Sequence, residues 1–327
     1  MHMADALVSP AVGGVMTAVS AGILAYSTAK MKKDFDPARV PLTGVMGAFV
    51  FAAQMINFTL PGTGSSGHIG GAVLLAALLG PYAAFSVLAC VLFIQAFLFA
   101  DGGLLAFGCN LFNMGFFGCF ITYPLIFRPL IRKKASAARV MTASVLSCIV
   151  SLQLGAFCVV LETLCSGITE LPFAAFALLM QPIHLAIGAV EGVLTGLLLI
   201  FLYQARPELT DAAARLPTLS VKAVAGTLAI GAFVIGGGLS LLASEKPDGL
   251  EWSMERTAGT AELSGKSAVH ERAAHLQEKS ALLPDYGHEK LSDAAGTSAA
   301  GTAGSAAVLL LAGGLAFLLK PGKREQV

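Results

Sequence analysis

The first two residues of the chain, Met1 and His2, carry nitrogens whose spacing suits metal chelation. The terminal amine, the deprotonated His2 amide and His2 Nδ1 would close a five-membered and then a six-membered ring around an ion, which holds all three nitrogens near one plane. An imidazole nitrogen in the fourth position would complete a square plane, the geometry typical of Ni(II) and Cu(II). The Met-His start therefore predicts a metal site that uses the amine of the chain as a ligand.

His68 is the candidate for the fourth nitrogen. It lies in the segment PGTGSSGHIGG, residues 61–71, whose glycines would let another segment approach closely. The alternative is that His2 is incidental and that His68 forms an ordinary hydrogen bond inside its loop. The residues alone leave both interpretations open, and the metal interpretation names Met1, His2 and His68 as ligands.

Several further polar side chains lie in apolar surroundings, where each needs a partner. His184 and Glu191 are seven positions apart on one face of a predicted helix, and ionisable groups within a membrane are functional candidates by default. The others are Gln54, Asn57, Asp101, Asn110 and Asn113. These side chains could form a network that orients the two histidines, or they could simply hydrogen-bond between helices.

The composition indicates the class of protein that must position these residues. Hydrophobic residues make up 56% of the 327 residues and charged residues only 13%, with a mean hydropathy of +0.76. Because soluble domains carry roughly 25% charged residues, we predict an all-α integral membrane protein. The net charge of +1 argues against the basic field that nucleic-acid binding needs. The six cysteines form no C-x-x-C pair, so neither a zinc site nor a disulfide framework is expected.

Apolar runs bounded by proline, glycine and charge predict about nine transmembrane helices. The run 67–99 is too long for one crossing of a hydrocarbon core of about 30 Å, so Gly80-Pro81 is predicted to divide it. Basic clusters follow the first, fifth, seventh and last helices, and the positive-inside rule places them on the cytoplasmic side. Met1 and His68 are then external. The predicted helices span about 10–29, 41–58, 67–79, 81–99, 104–127, 139–165, 177–203, 220–243 and 305–319.

The chain divides into two predicted units joined by a linker. The polar part of the second unit ends in DAAGTSAAGTAGSAA, which predicts a flexible spacer with little packed core. The histidines there, His270, His275 and His288, are expected on a solvated surface. No cation precedes the first apolar run, so a cleaved signal peptide is not expected. The predicted bounds are 1–205 for a seven-helix domain, 206–219 for a cytoplasmic linker, and 220–327 for a two-helix unit with an external loop at 244–304.

Four segments resemble the NikM/CbiM family, the substrate-capture subunits of energy-coupling-factor importers for nickel and cobalt. They are MHMADALVSP, FAAQMINFTLPGTGSSGHIGGAVLLAALLGPYAAF, DGGLLAFGCNLFNMG and HLAIGAVEG, and the similarity extends to about residue 205. The segment KPDGLEWSMER, at 246–256, resembles the PDGLE-type (NikN-like) accessory subunit of such importers, so the chain is similar to a fusion of both. The resemblance implies a seven-helix capture domain in which the Met1 amine, the His2 amide and imidazole, and His68 bind the metal.

The resemblance also implies partners and a location. A transmembrane coupling subunit and two ATPase subunits would supply the energy in a bacterial inner membrane, because the segment TAELSGKS of this chain lacks the first glycine of a phosphate-binding loop. No cofactor is predicted, and Ni²⁺ or Co²⁺ is the transported substrate. The planar nitrogen set and the PDGLE-type segment favour nickel. The alternative from another class is an intramembrane metal-dependent enzyme that uses His68, His184 and Glu191, which would leave the Met-His start without a purpose.

Overall fold

A computed structural model describes residues 1–37, 40–132, 136–205 and 221–320, apart from 262, 264, 266, 288 and 289; for residues 205 and 221–224 it describes only the backbone. This part of the chain is helical, with one short hairpin, which confirms the predicted all-α class. The strands are β1 Phe58–Thr59 and β2 Ser66–Gly67. The helices are α1 Pro10–Lys33, α2 Val40–Gln54, α3 Ala72–Leu79, α4 Pro81–Leu98, α5 Phe107–Ile131, α6 Ala137–Ser166, α7 Phe173–Ala205, α8 Val221–Gly237, α9 Gly249–Ala258, α10 Ala268–Ser280 and α11 Asp293–Leu318.

Six of these helices are long and apolar enough to cross a membrane, namely α1, α4, α5, α6, α7 and α11. The apolar helices α2 and α8 are shorter. The protein is therefore a multi-pass membrane protein, as the composition predicted. Most of α5, from Phe112 to Phe127, has the wider π-helical hydrogen bonding and contains Pro124.

The segment 67–79 differs from its prediction as one helix. Its helical part, α3, has only eight residues, or about 12 Å at 1.5 Å per residue, so it is too short to cross a membrane by itself. Residues 66–71 are not helical because β2 pairs with β1 and Gly71 adopts a φ of +82°. The predicted break is confirmed, since Gly80 ends α3 and Pro81 begins α4.

The stretch predicted as a flexible spacer is instead the first half of α11. Ser292 caps its start, and glycines along its length let it lie close to α2 and α8. For example, a Cβ on Gly44 of α2 would lie 2.8 Å from the carbonyl oxygen of Leu309 in α11. The prediction was wrong because glycine, alanine and serine are spacer residues in water but are packing residues between membrane helices. The helices α9 and α10 also lie within the predicted loop 244–304. The predicted linker 206–219 lies outside the described residues.

Candidate metal centre

The N-terminal segment lies inside the protein and is fixed along its main chain. Met3 is fully buried, its N–H donates to Asn110 Oδ1 at 2.7 Å, and its carbonyl accepts from Asn110 Nδ2 at 3.0 Å. Gly103 N–H donates to the same carbonyl at 2.9 Å. Asp5 Oδ1 accepts from Ala106 N–H at 2.9 Å. Asn110, one of the predicted polar residues, thus holds the backbone that carries Met1 and His2.

The Met1 amine lies between His68 and a carboxylate of the second unit. Its nitrogen is 3.4 Å from His68 Nε2 and 2.5 Å from Asp248 Oδ2. His68 Nδ1 donates to the Ile69 carbonyl at 3.0 Å, so Nε2 presents its lone pair toward the amine. Neighbouring nitrogens of a square plane lie about 2.8 Å apart when metal–nitrogen bonds are about 2.0 Å. The amine and His68 Nε2 are therefore close to the separation that one shared ion requires.

His2 lies beside His68 and pairs with Asp101. The two imidazole rings are stacked, with centroids 5.1 Å apart and planes within 8°. His2 Nδ1 is 2.9 Å from Asp101 Oδ1, and the other oxygen of Asp101 accepts from the Tyr286 hydroxyl at 2.5 Å. His2 Nε2 is buried without a hydrogen-bond partner in the described part of the chain. Because the predicted chelate uses Nδ1, binding would require this nitrogen to exchange Asp101 for the metal.

Two of the predicted polar residues hold the loop that carries His68. Glu191 Oε1 accepts from Gly71 N–H at 2.8 Å, and Gln54 Nε2 donates to the Gly70 carbonyl at 2.9 Å. Both contacts reach the main chain just after His68. Glu191 therefore binds the backbone of the loop. The alternative of an intramembrane enzyme instead expects Glu191 to belong to a metal site. Both residues support the position of the His68 imidazole.

His184 borders the site, and its recorded hydrogen bond lies within its own helix. Its Nδ1 donates to the Met180 carbonyl at 2.8 Å within α7. The ring lines a small void of about 20 Å³, whose walls include Met1, His68 and Asp248. A void of this volume has room for about one water molecule. The role of His184 beside the proposed ligands stays a prediction.

Asn113 and Asn57 lie in different surroundings near the N-terminal segment. Asn113 Nδ2 donates to Glu162 Oε2 at 2.6 Å and lies 3.7 Å from Met3 Sδ, so it packs against the inserted segment from within the membrane domain. Asn57 lines the outer cleft with His2, and its Oδ1 is buried without a hydrogen-bond partner among the described residues. Neither asparagine contacts a predicted ligand nitrogen in the contacts that the structure records.

Asp248 is a site residue that the sequence analysis did not single out. It caps α9, because its Oδ1 accepts from the N–H groups of Leu250 and Glu251 at 2.8 and 2.9 Å. Glu251 Oε2 accepts in return from Asp248 N–H at 3.0 Å, which completes a capping box. The motif Asp-Gly-Leu-Glu predicts such a helix start locally. The motif itself does not indicate that Asp248 contacts the Met1 amine, which lies 247 residues earlier in the chain.

The rest of the polar segment also folds onto the N-terminal region. His270 is 5% exposed, and its Nε2 lies 3.0 Å from the Val8 carbonyl and 3.1 Å from that of Asp5. Gln277 Nε2 donates to the Gly102 carbonyl at 2.7 Å. The prediction of a solvated His270 was wrong, because its imidazole packs against the inserted segment, where it meets the Asp5 and Val8 carbonyls. His275 is exposed, and His288 lies outside the described residues.

The two imidazoles open onto an acidic cleft of about 710 Å³. No lysine or arginine lines it within the described ranges. Its walls carry the carboxylates of Asp5, Asp101, Glu245, Asp248, Glu251, Asp285 and Asp293. A wall of one charge raises the local concentration of opposite ions. The cleft is therefore suited to attract a cation toward His2 and His68.

Burial and neighbouring charges set the protonation of the groups around the amine. Burial would raise the pKa of Asp248, but the Met1 ammonium outweighs this effect and holds the pKa below its usual value. For Asp101 too, burial would raise the pKa, but the electrostatic interaction with His2 and the hydrogen bonds from His2 and Tyr286 outweigh burial and lower it. Burial, helped by the charges of the amine and His2, lowers the pKa of His68 to about 3. At neutral pH the site thus pairs two carboxylates with a neutral His68 imidazole.

Side chains alone do not provide a ligand set in the described part of the chain. No three histidine, cysteine, aspartate or glutamate side chains lie close enough there to hold a metal ion. The nitrogens that do converge are an amine and two imidazoles. In a helical multi-pass protein, an amine and two imidazoles beneath an acidic cleft are suited to a transition-metal ion.

Comparison with known protein families gives the same class. Residues 2–209 match the family described as the cobalt uptake substrate-specific transmembrane region, and residues 222–321 match the PDGLE domain. The chain belongs to this cobalt uptake family and carries a PDGLE domain behind it. The resemblance noted in the sequence is thereby confirmed, and the protein is a subunit of a metal transport system.

Individual relatives support this membership. The putative fused nickel transport protein NikMN of Archaeoglobus fulgidus is 30% identical over 317 residues, which cover 95% of this chain and 96% of that protein. The fused nickel transport protein NikMN of Rhodobacter capsulatus is 32% identical, with 88% of each chain covered. A crystal structure described as a truncated transition metal transporter is 33% identical and superposes with a TM-score of 0.55, covering 62% of this chain and 99% of that one.

Proposed function

We propose that this chain is the substrate-capture subunit of an ATP-driven nickel importer. Ni²⁺ would bind to four nitrogens: the Met1 amine, the His2 amide, His2 Nδ1 and His68 Nε2. The observation that carries the proposal is the 3.4 Å separation between the amine and His68 Nε2, whose lone pair is left available by the bond from Nδ1 to Ile69. The nickel transport names of two fused relatives agree with it.

Loading would proceed through an exchange of partners. A hydrated cation enters the acidic cleft, where the carboxylates attract it. The Met1 ammonium would then leave Asp248 and lose a proton, the His2 amide would lose its proton, and His2 Nδ1 would leave Asp101 and release its hydrogen. Water in the cleft would take up these protons, and the three nitrogens would turn to the metal. Asp101 remains beside the imidazole that it held, in the role that carboxylates commonly play around metal-bound histidines.

Nickel is the proposed substrate because a four-nitrogen plane suits Ni(II). Cobalt is the alternative, since one relative, from Sorangium cellulosum, is named a cobalt transport protein and is 29% identical over 192 residues. A competition assay separates them: cells that express the complete importer receive radioactive nickel and increasing unlabelled cobalt. Nickel uptake that persists in a tenfold excess of cobalt supports nickel, and its loss at equal concentrations supports cobalt.

Release of the ion needs energy from elsewhere in the complex. The N-terminal segment is buried, so the chelate opens only when that segment is displaced. We propose that a transmembrane coupling subunit and two ATPase subunits drive this movement from the cytoplasmic side of the bacterial inner membrane, with the N-terminus on the outer side. Co-purification of such partners, and uptake that stops when the lysine of their phosphate-binding loop is replaced, would support the arrangement.

The ligand assignment is tested by titrating purified protein with Ni²⁺ in a calorimeter. His68→Ala removes one of the four nitrogens and should weaken binding strongly. His275→Ala is the matched control, because His275 is an exposed histidine of the same chain, with 65% of its side chain accessible. Equal affinities of the two variants would refute the assignment of His68.

A further inference from the structure

The PDGLE segment contributes directly to the capture site. We propose that Asp248 is a positioning residue that holds the Met1 amine beside His68 before the metal arrives, so that the second unit completes the site of the first. This inference rests on the proposed capture of Ni²⁺ by the amine and His68. It assigns to Asp248 a role in metal affinity and leaves the four nitrogens as the ligands.

Asp248 is rigidly oriented toward the amine. Its Oδ1 is occupied by the N–H groups of Leu250 and Glu251, and its own N–H is held by the Glu251 carboxylate. Only Oδ2 remains, and it lies 2.5 Å from the Met1 nitrogen. The capping box thus fixes one oxygen of the carboxylate as an anchor point for the chain terminus.

The same turn is attached to the strand that leads to His68. Ser66 N–H donates to the Pro247 carbonyl at 2.8 Å, and Ser66 Oγ donates to the Lys246 carbonyl at 2.7 Å. Trp252 Nε1 donates to the Thr63 carbonyl at 3.0 Å. Asp248 and His68 therefore lie just beyond a short ladder of hydrogen bonds, one between main-chain groups and two from side chains to carbonyls. Their separation is set by this ladder and does not depend on the flexible chain terminus.

The loss of this anchor should lower metal affinity. The ion pair is mostly buried, with 8% of Met1 and 16% of Asp248 exposed, and a buried cation that loses its partner is strongly destabilised. Without Asp248 the ammonium would move toward water, and the amine would lie beside His68 in a smaller fraction of molecules. Apparent affinity falls in proportion to that fraction. The carboxylate also stays near the bound dication and attracts it.

The test compares Asp248→Asn with Glu255→Gln in the full-length chain. Asparagine caps a helix as well as aspartate does, so the first variant removes the charge but keeps α9. Glu255→Gln removes an equal charge from an exposed position of the same helix. We expect Asp248→Asn to weaken Ni²⁺ binding by about 10–100-fold, the usual effect of outer partners of metal ligands, and Glu255→Gln to bind like the wild type.

Two further readouts distinguish positioning from ligation and from a structural defect. The visible absorption band of the nickel complex should stay in place in Asp248→Asn, because the four nitrogens remain. In metal-free protein an amine-reactive ester should label the Met1 amine faster in this variant than in Glu255→Gln, as quantified by mass spectrometry.

Three results would overturn the inference. They are wild-type or tighter affinity in Asp248→Asn, a shifted band that makes Asp248 a ligand, and equal losses in both variants. Failure of the proposed function looks different, because His68→Ala would then bind nickel like the wild type.

Discussion

Replacement of Gly67 by alanine should displace the loop that carries His68, because the new methyl group would clash with α7. A Cβ at position 67 would lie 2.6, 2.9 and 3.1 Å from three carbons of Ile187 in α7. Ile187 cannot easily retreat, because Leu60 and Ile183 pack around it. Overpacking of this kind costs about 1–3 kcal/mol. The strain should push the loop, and with it His68, away from the N-terminal nitrogens.

The expected effect on nickel binding follows from that energy. If the strain is relieved only when the loop leaves its metal-ready position, about 1–3 kcal/mol corresponds to a roughly 5–150-fold loss of affinity. Calorimetric titration of Gly67→Ala measures it directly. The double variant Gly67→Ala/Ile187→Ala removes the clashing carbons. The glycine substitution should therefore lower nickel affinity less in the Ile187→Ala background than it does in the wild type.

Gly14→Ala is the matched control, because Gly14 lies on α1 and a Cβ there meets no atom within 4 Å. It should bind nickel like the wild type, since alanine favours a helix more than glycine does. Wild-type affinity in Gly67→Ala would refute the claim that close packing of the loop on α7 positions His68. A loss in the double variant equal to the sum of the two single losses would refute the role of Ile187.

Two other perturbations separate ligands from their surroundings. His68→Ala should lower nickel affinity by more than the roughly 10–100-fold typical of outer partners, whereas His184→Ala should stay within that range; the reverse order in calorimetry would contradict the assignment. A chain that ends near residue 215 keeps all four proposed nitrogens but lacks Asp248. It should still bind nickel, with an affinity lowered at least as much as in Asp248→Asn, because the contacts of the second unit with Ser66 and with the Val8 carbonyl are lost as well. Complete loss of binding in a folded truncated chain would show that the PDGLE unit supplies a ligand.

Local chemistry predicted much of the region around the amine. The spacing of nitrogens in Met1 and His2 required one more imidazole, and His68 does lie 3.4 Å from the amine. Gly80-Pro81 divided two helices because proline starts a helix readily and glycine ends one. The proximity of His68 to the amine and the break at Gly80-Pro81 each depend on only a few neighbouring atoms or on a backbone rule; metal binding by these nitrogens stays a prediction.

Long-range packing was the part that the sequence could not supply. The capping box around Asp248 is readable from its residue types, but its contact with the Met1 amine depends on how the PDGLE unit docks. The burial of His270 has the same origin, since its acceptors belong to the N-terminal segment. The small residues of α11 were misread because their composition means flexibility in water and close helix packing in a membrane.

The central claim is that the terminal amine binds the metal, and one measurement on a cleavable extension tests it most directly. A short peptide placed before Met1 moves the amine away by up to about 3.3–3.6 Å for each added residue, while His2 and His68 are unchanged. A protease that cuts directly before Met1 then regenerates the native start in the same preparation. We predict that nickel affinity is low before cleavage and is restored after it. Equal affinity before and after cleavage would contradict the account.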